Sequence, residues 1–271
     1  FDTIKTRLQC SPPGTYKNAI DCFLKTIRTE SVFALYKGAT PPAVGWAAID
    51  SVLLGSLHNY RLLLLRWGLT EATFGSDAQR LTPLGHGIAG LFAGCTSALV
   101  ATPIEHIKVK LQLQLQRSAA DRQYRNPIDC IRQIVRAKGM LGLWTGFTGS
   151  LAFRSNFFWM FGSVEVRTAL ISRYNSLSPN AYTTFLSGGF ASFAFWFMAI
   201  PADNIKNRMM ASPPIFPRPS FMGMARTIFA EGGYRAFFRG LGPTVLRAFP
   251  VNASALWVYE GTMRVMGAEK V

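Results

Sequence analysis

The chain has 271 residues, room for one large helical bundle or two modest domains, and combines a formal net charge of +15 with 49% hydrophobic and only 16% charged residues. Soluble domains carry nearer about a quarter charged residues, so this balance leaves a membrane or a nucleic acid as the basic chain's partner. Nucleic-acid binders gather Lys and Arg on one face of a polar fold; here they sit between long apolar stretches, which excludes a nucleic-acid partner. Cys10, Cys22, Cys95 and Cys130 lack CxxC spacing and the three histidines are scattered, so no metal centre, disulfide framework or cofactor is expected.

Phe1 stands first, with no initiator Met or leader ahead of it. Apolar stretches follow at Val44–Leu65, Leu84–Leu111, Phe147–Ile171, Tyr182–Met210 and Val245–Met266, each long enough to cross a hydrocarbon layer of about 30 Å. Segments 1–37, 108–145 and 206–239 hold 6, 8 and 6 Lys plus Arg, whereas 66–82 and 167–181 hold 2 each. The positive-inside tendency puts the three basic loops on one side of the membrane. Gly85, Gly87, Gly90 and Gly94, and again Ser187, Gly188, Gly189 and Ser192, are small-residue stripes that let helices approach closely in lipid.

The chain repeats itself three times. Asp2-Thr-Ile-Lys5 matches Pro103-Ile-Glu105-His-Ile-Lys108 and Pro201-Ala-Asp203-Asn-Ile-Lys206. Tyr16-Lys-Asn-Ala-Ile-Asp-Cys22 matches Tyr124-Arg-Asn-Pro-Ile-Asp-Cys130, and Tyr36-Lys-Gly38 matches Trp144-Thr-Gly146 and Phe238-Arg-Gly240. From the repeated Lys to the repeated Gly the intervals are 33, 38 and 34 residues. Each unit reads as a helix, a basic loop with a short amphipathic helix, and a second helix: 1–66, 82–173 and 181–271. Three pairs of helices make six spans, and five are visible. The sixth is expected ahead of Asp2, so the chain reads as lacking most of its first helix, and both termini fall opposite the basic loops.

An acid and a Lys three residues later share one helix face, and unpaired they are costly in lipid. In three copies they form a ring: Asp2 with Lys108, Glu105 with Lys206, Asp203 with Lys5. On this reading, removing Lys108 strands Asp2.

The repeated Pro-x-acid-x-x-Lys followed by aromatic-basic-Gly resembles the signature of the mitochondrial carrier family over the whole chain. The resemblance implies an all-α membrane protein, a pseudo-threefold six-helix bundle of the inner mitochondrial membrane. It implies transport of a small-molecule solute by alternating access, with the basic loops facing the matrix and the ring serving as the matrix gate. Gln9 and Gln112 fall where the family braces that ring; Met210 stands at the third position. Gly38, Gly146 and Gly240 resemble the family's cardiolipin sites, where helix N-termini meet lipid phosphate, and helix-start geometry alone is an equal reading of them. A monomer is expected.

The family's second gate, aromatic-acid-x-x-basic, is degraded: the matching positions read Leu57-His58-Asn-Tyr-Arg61, Val164-Glu165-Val-Arg-Thr168 and Tyr259-Glu260-Gly-Thr-Met263. The loop pair acid-Gly reads Glu30-Ser31, Lys138-Gly139 and Glu231-Gly232.

Family substrate contacts lie near seven residues after the repeated Gly. That assigns Gly45 and Trp46 in repeat 1, Phe153 and Arg154 in repeat 2, where one residue is missing before Glu165, and Arg247 in repeat 3. The stretch Arg247-Ala-Phe-Pro-Val-Asn-Ala253 resembles the basic amino acid and acylcarnitine branch. Asp50 is the mid-span carboxylate nearby, five residues beyond Gly45 and about 140° around the helix. Two guanidinium groups and one carboxylate suit a zwitterion, or a cation that bears a carboxylate. Asn207-Arg208-Met209-Met210 stands where nucleotide carriers have a run of Arg and Met, which disfavours adenine nucleotides. Two other functions fit less well: a carrier-fold scaffold or adaptor that has lost transport, and a membrane-embedded enzyme, for which no catalytic constellation exists.

Overall fold

The computed structural model describes residues 2–12, 14–36, 38–72, 79–114, 123–161, 181–213, 220–247 and 251, with the backbone alone at 71–72, 79–80 and 181–194. Eight helices can be named among these residues. They are α1 Asp2–Cys10, α2 Ala19–Thr29, α3 Thr40–Arg66, α4 Pro83–Gln112, α5 Pro127–Lys138, α6 Phe147–Arg154, α7 Ala181–Ala211 and α8 Phe221–Ala236. Short 3-10 turns, Val32–Tyr36 and Met140–Trp144, lead into α3 and α6.

The loop-side helices begin where their sequences cap them. The Asn18 side chain accepts the Asp21 N–H, and Asp21 accepts the Lys17 N–H. Asn126 and Asp129 repeat the arrangement with the Arg125 N–H. These reciprocal bonds satisfy donors that a helix start leaves open, which explains why Asn-x-x-Asp recurs in repeats 1 and 2. The Lys17 N–H and then Lys25 hold the Asp21 carboxyl below its usual range. In the third repeat Ser220 caps α8 through the Gly223 N–H.

The long helices α3 and α4 pack along each other, joined by a hairpin in which Thr70–Ala72 pairs antiparallel with Gln79–Leu81. Leu53, Leu57 and Leu64 of α3 meet Ala89 and Ala93 of α4. Leu84, Phe92 and Leu99 of α4 and Val44, Leu54 and Leu62 of α3 stand outward instead, the pattern of a helix with lipid on one side. Pro83–Gln112 is long and apolar enough to cross a membrane by length and composition.

The glycine stripe of α4 seats the second helix of repeat 2. A Cβ on Gly94 would lie 2.5 Å from the Arg154 carbonyl oxygen, and one on Gly90 would lie 2.8 Å from that of Phe157.

The stretch expected as one span from Phe147 to Ile171 is interrupted. α6 stops at Arg154, residues 155–156 form a turn, and helix resumes over 157–161. Asn156 donates to the Ala152 and Phe153 carbonyls, and Asn156, Phe158 and Trp159 make main-chain bonds to the residue three earlier. Three-residue bonding rises about 2.0 Å per residue against about 1.5 Å in the α-helix. The tighter winding recovers length in the repeat that is one residue short. The positions matching the second gate around Glu165 and Glu260 lie outside the described residues, as do most of Val245–Met266 and the side chains of Ser187 and Ser192.

Candidate functional site

α1, α4 and α7 end on the basic-loop side, and there they converge. Pro103 and Pro201 lie inside α4 and α7; each removes one backbone donor from its helix two residues before the acid. The three acids and three lysines meet around one axis. Lys108 Nζ is 2.6 Å from Asp2 Oδ2, Lys206 Nζ is 3.0 Å from Glu105 Oε2, and Lys5 Nζ is 2.8 Å from Asp203 Oδ2.

Every acid holds a second cation. Asp203 also takes Lys206 of its own helix at 3.0 Å. Glu105 takes Arg154 Nη2 at 3.1 Å, and Asp2 takes Arg247 Nε at 3.2 Å. Removing Lys108 therefore does not strand Asp2, because Arg247 remains. Among the described residues, five cations face three carboxylates in this cluster.

Gln9 donates to Asp203 Oδ2 at 3.1 Å and accepts from Asn207 at 2.6 Å, so it touches the ring. Gln112 does not brace an ion pair: it accepts from Thr6 at 2.9 Å and reaches Thr3 at 3.5 Å, joining α4 to α1. Both glutamines follow the ring Lys by one turn; the small hydroxyls of α1 draw Gln112 away from the charges.

A cavity of about 160 Å³ opens over the ring, walled in part by Trp46, Phe153, Trp196 and Arg247. The aromatic rings lie against the cations: Lys206 is 4.3 Å from the Phe153 ring centre, Lys5 is 4.7 Å from that of Trp196, and Arg247 is 6.0 Å from it. Of the expected substrate contacts, Trp46, Phe153 and Arg247 therefore meet here. Arg154 joins through Glu105 and is buried, with Nη1 donating to Ser97 at 2.9 Å.

Gly45 faces elsewhere: a Cβ on it would lie 2.6 Å from Ile104 Cδ1 of α4. The cavity-facing line of α3 is Pro42 and Trp46, and Asp50 follows Trp46 by four residues, about 40° around the helix. Asp50 is exposed, one turn beyond the lining residues. Measured from Trp46 rather than Gly45, it stands much closer to the cavity line than the 140° counted from sequence.

Trp196 was not singled out from sequence, although it precedes Asp203 by seven residues, two turns along one helix face. Ser97 carries no sequence signal of its own.

Gly38, Gly146 and Gly240 have φ of +73°, +86° and +83°, a region that L side chains rarely adopt. Each also presses on the next repeat's ring helix. A Cβ would come 2.9 Å from the Lys108 carbonyl oxygen at Gly38, 2.9 Å from Met210 Cγ at Gly146 and 3.2 Å from Gln9 Cγ at Gly240. Helix-start geometry and close approach thus account for all three glycines. A separate cavity of about 380 Å³ lies beside Gly240, between Gly14, Tyr16 and Asn18 on one side and Arg239 and Leu241 on the other.

Three repeated helical units, outward apolar faces and a charged ring under a central cavity define a membrane transport protein. A family model described as mitochondrial carrier protein matches residues 1–66, 79–175 and 178–270. Mitochondrial substrate carrier family protein S of Dictyostelium discoideum is 32% identical over 98% of this chain and 91% of its own length. The mitochondrial basic amino acids transporter of Bos taurus is 32% identical over 94% of this chain and 82% of its own length. Mitochondrial magnesium exporter 1 of Drosophila melanogaster is 32% identical over 99% of this chain and 89% of its own length. The chain belongs to the mitochondrial carrier family: a multi-pass protein of the inner mitochondrial membrane that transports a solute.

Proposed function

We propose that this carrier transports a small zwitterion, or a cation bearing a carboxylate, of the amino acid or carnitine type. The observation that carries the reading is the excess of cations under the cavity, five against three acids. Such a floor attracts a carboxylate, and planar guanidinium forks bind it with defined geometry. Arg247 lines the cavity and takes the carboxylate, Arg154 assists, and Asp50 receives the cationic end one turn beyond Trp46. The likeness to a basic amino acids transporter agrees with this. The magnesium exporter's cargo does not suit the site, because a bare divalent cation would be repelled by the floor.

The three ring pairs act as the matrix gate, closed here, and open when substrate carboxylate competes for the guanidinium groups. The units 1–66, 82–173 and 181–271 work as pseudo-symmetric thirds of a monomer. The cavity at Gly14 and Gly240 receives an acidic lipid, cardiolipin being the fitting one, since the α2 N-terminus and Arg239 offer donors to phosphate.

Uptake of labelled lysine, ornithine, arginine, carnitine and dicarboxylates into liposomes containing the protein tests the reading. Saturable uptake of the zwitterions is expected. No uptake of any solute would instead favour a scaffold.

A further inference from the structure

The ring lysines reach backward around the bundle: Lys108 of α4 to Asp2 of α1, Lys206 of α7 to Glu105 of α4, and Lys5 of α1 to Asp203 of α7. Two residues after each stands a second cation, Arg7, Lys110 or Arg208. Residues two apart do not share a helix face; two steps turn the side chain by about 200°. The second cation therefore meets the other neighbour. Arg7 Nε donates to the Gln112 carbonyl at the end of α4 at 3.2 Å. Lys110 Nζ donates to the Ala211 and Ser212 carbonyls at the end of α7 at 3.1 and 2.7 Å. Arg208 Nε donates to the Gln9 carbonyl at the end of α1 at 2.7 Å.

These contacts close a cycle of their own, which runs forward from α1 to α4 to α7 and back to α1. Each neighbouring pair of ring helices is thus held twice, by an ion pair reaching one way and by a cation on a helix terminus reaching the other. The acceptors have one physical cause. The last four carbonyls of a helix lack a partner within it and carry the negative end of its dipole, so a cation is favoured at each. Arg7 and Arg208 are buried, and Glu30 and Glu231 fix them within their own repeats. None of the three cations lines the cavity of about 160 Å³. A solute in that cavity meets the ion pairs and does not touch the forward contacts.

We propose that Arg7, Lys110 and Arg208 form a second layer of the matrix gate, on its loop side, which parts whenever the ion pairs do. The inference rests on the ion pairs being that gate. The two layers divide the work. A solute loosens the ion pairs from the cavity, and the forward contacts keep the gate shut when no solute is present. The three cations act through the helix ends they hold, so they are positioning residues.

The test is access to the cavity from each side of the membrane. Trp46→Cys places a thiol in the cavity wall. A membrane-impermeant anionic maleimide is applied to mitoplasts and to inside-out inner-membrane vesicles carrying the protein. Modification at position 46 is read by peptide mass spectrometry, which separates it from the native cysteines. Adding Lys110→Met should raise the rate from the basic-loop side about tenfold, the equivalent of about 1.4 kcal/mol taken from the closed state. The rate from the opposite side should not rise. Lys110→Arg keeps a cation at the end of α7 and should restore the parent rate. Lys110→Gln keeps amide donors without the charge; it should fall between the two, and it serves if the Met variant does not insert. Glu105→Gln is the control on the ion pairs. A rise with Glu105→Gln and none with the Lys110 variants overturns the second layer and leaves the gate standing. Lack of a rise with Glu105→Gln overturns the gate, and the second layer with it. An equal rise from both sides with Lys110→Met means that Lys110 only supports the fold, and overturns the second layer as well.

Discussion

Arg154 Nη2 lies 3.1 Å from Glu105 Oε1, so a guanidinium assigned to substrate is already held by an acid of the ring. Arg247 Nε lies 3.2 Å from Asp2 Oδ1, an ion pair without a hydrogen bond. A substrate carboxylate that engages either arginine competes with the ring for it. On the proposed function, binding in the cavity and loosening of the ring would be one electrostatic event, which a ligand with no carboxylate would not produce.

The doubled partners make a prediction about single and double substitutions. Lys108→Ala leaves Asp2 with Arg247 and should weaken the closed state by only about 0.5–1.5 kcal/mol, the net worth of one hydrogen bond. Lys108→Ala with Arg247→Ala leaves Asp2, whose side chain is 29% exposed, without either partner, and stranding this partly buried charge should cost up to about 3–5 kcal/mol. A double-mutant cycle on Tm should therefore show non-additivity. Additive losses would mean that the two cations do not share Asp2.

Close backbone approach makes a second prediction. A Cβ on Gly149 would lie 2.7 Å from Lys206 Cα, and one on Gly94 would lie 2.5 Å from the Arg154 carbonyl, whereas Gly55 has nothing within 4 Å. Gly149→Ala and Gly94→Ala should each lower stability by about 1–3 kcal/mol, the cost of overpacking. Gly55→Ala should be neutral or slightly stabilising, since Ala favours helix by up to about 1 kcal/mol. Tm of the three variants in one detergent decides it.

Burial separates the thiols. It pushes the Cys22 thiol up to about 11 and the Cys130 thiol up to about 12, and both residues are fully buried. Each stays protonated in the folded protein where the unfolded thiol, near 9.0, has ionised. Their contribution to stability is complete below pH 9 and falls as pH rises from there toward 11 and 12. At pH 7.5 a maleimide should leave Cys22 and Cys130 unmodified until the protein is unfolded, as read by peptide mass spectrometry. Rapid labelling of either in the folded protein would contradict this.

The ring was legible because each pairing is written three times: Asp2, Glu105 and Asp203 sit at one place in a short motif, and their helices bring the lysines to them. The second cation on Glu105 and on Asp2 was not legible, because Arg154 and Arg247 reach from other helices on long side chains. Nor was the turn at Ser155, which local bonds to Ala152 and Phe153 carbonyls set against an apolar run that reads as one helix. Gln112 shows the limit of carrying a role between repeats: its position matches Gln9, but the neighbouring Thr3 and Thr6 decide where its amide points. Asp50 was misplaced by choosing Gly45 as the phase reference, since that glycine serves contact with Ile104.

Competitive uptake by Asp50→Asn and Arg247→Lys proteins in liposomes tests the central claim most directly. Asp50→Asn keeps size and hydrogen bonding and removes the charge, so zwitterions and cations should lose about 1.5–3 kcal/mol of binding while simple carboxylates are little changed. Arg247→Lys should weaken every carboxylate, because an ammonium cannot reproduce the guanidinium fork. If Asp50→Asn leaves the ranking of lysine, ornithine, arginine, carnitine and dicarboxylates as it was, Asp50 is a packing residue and the assignment of a zwitterionic substrate is wrong.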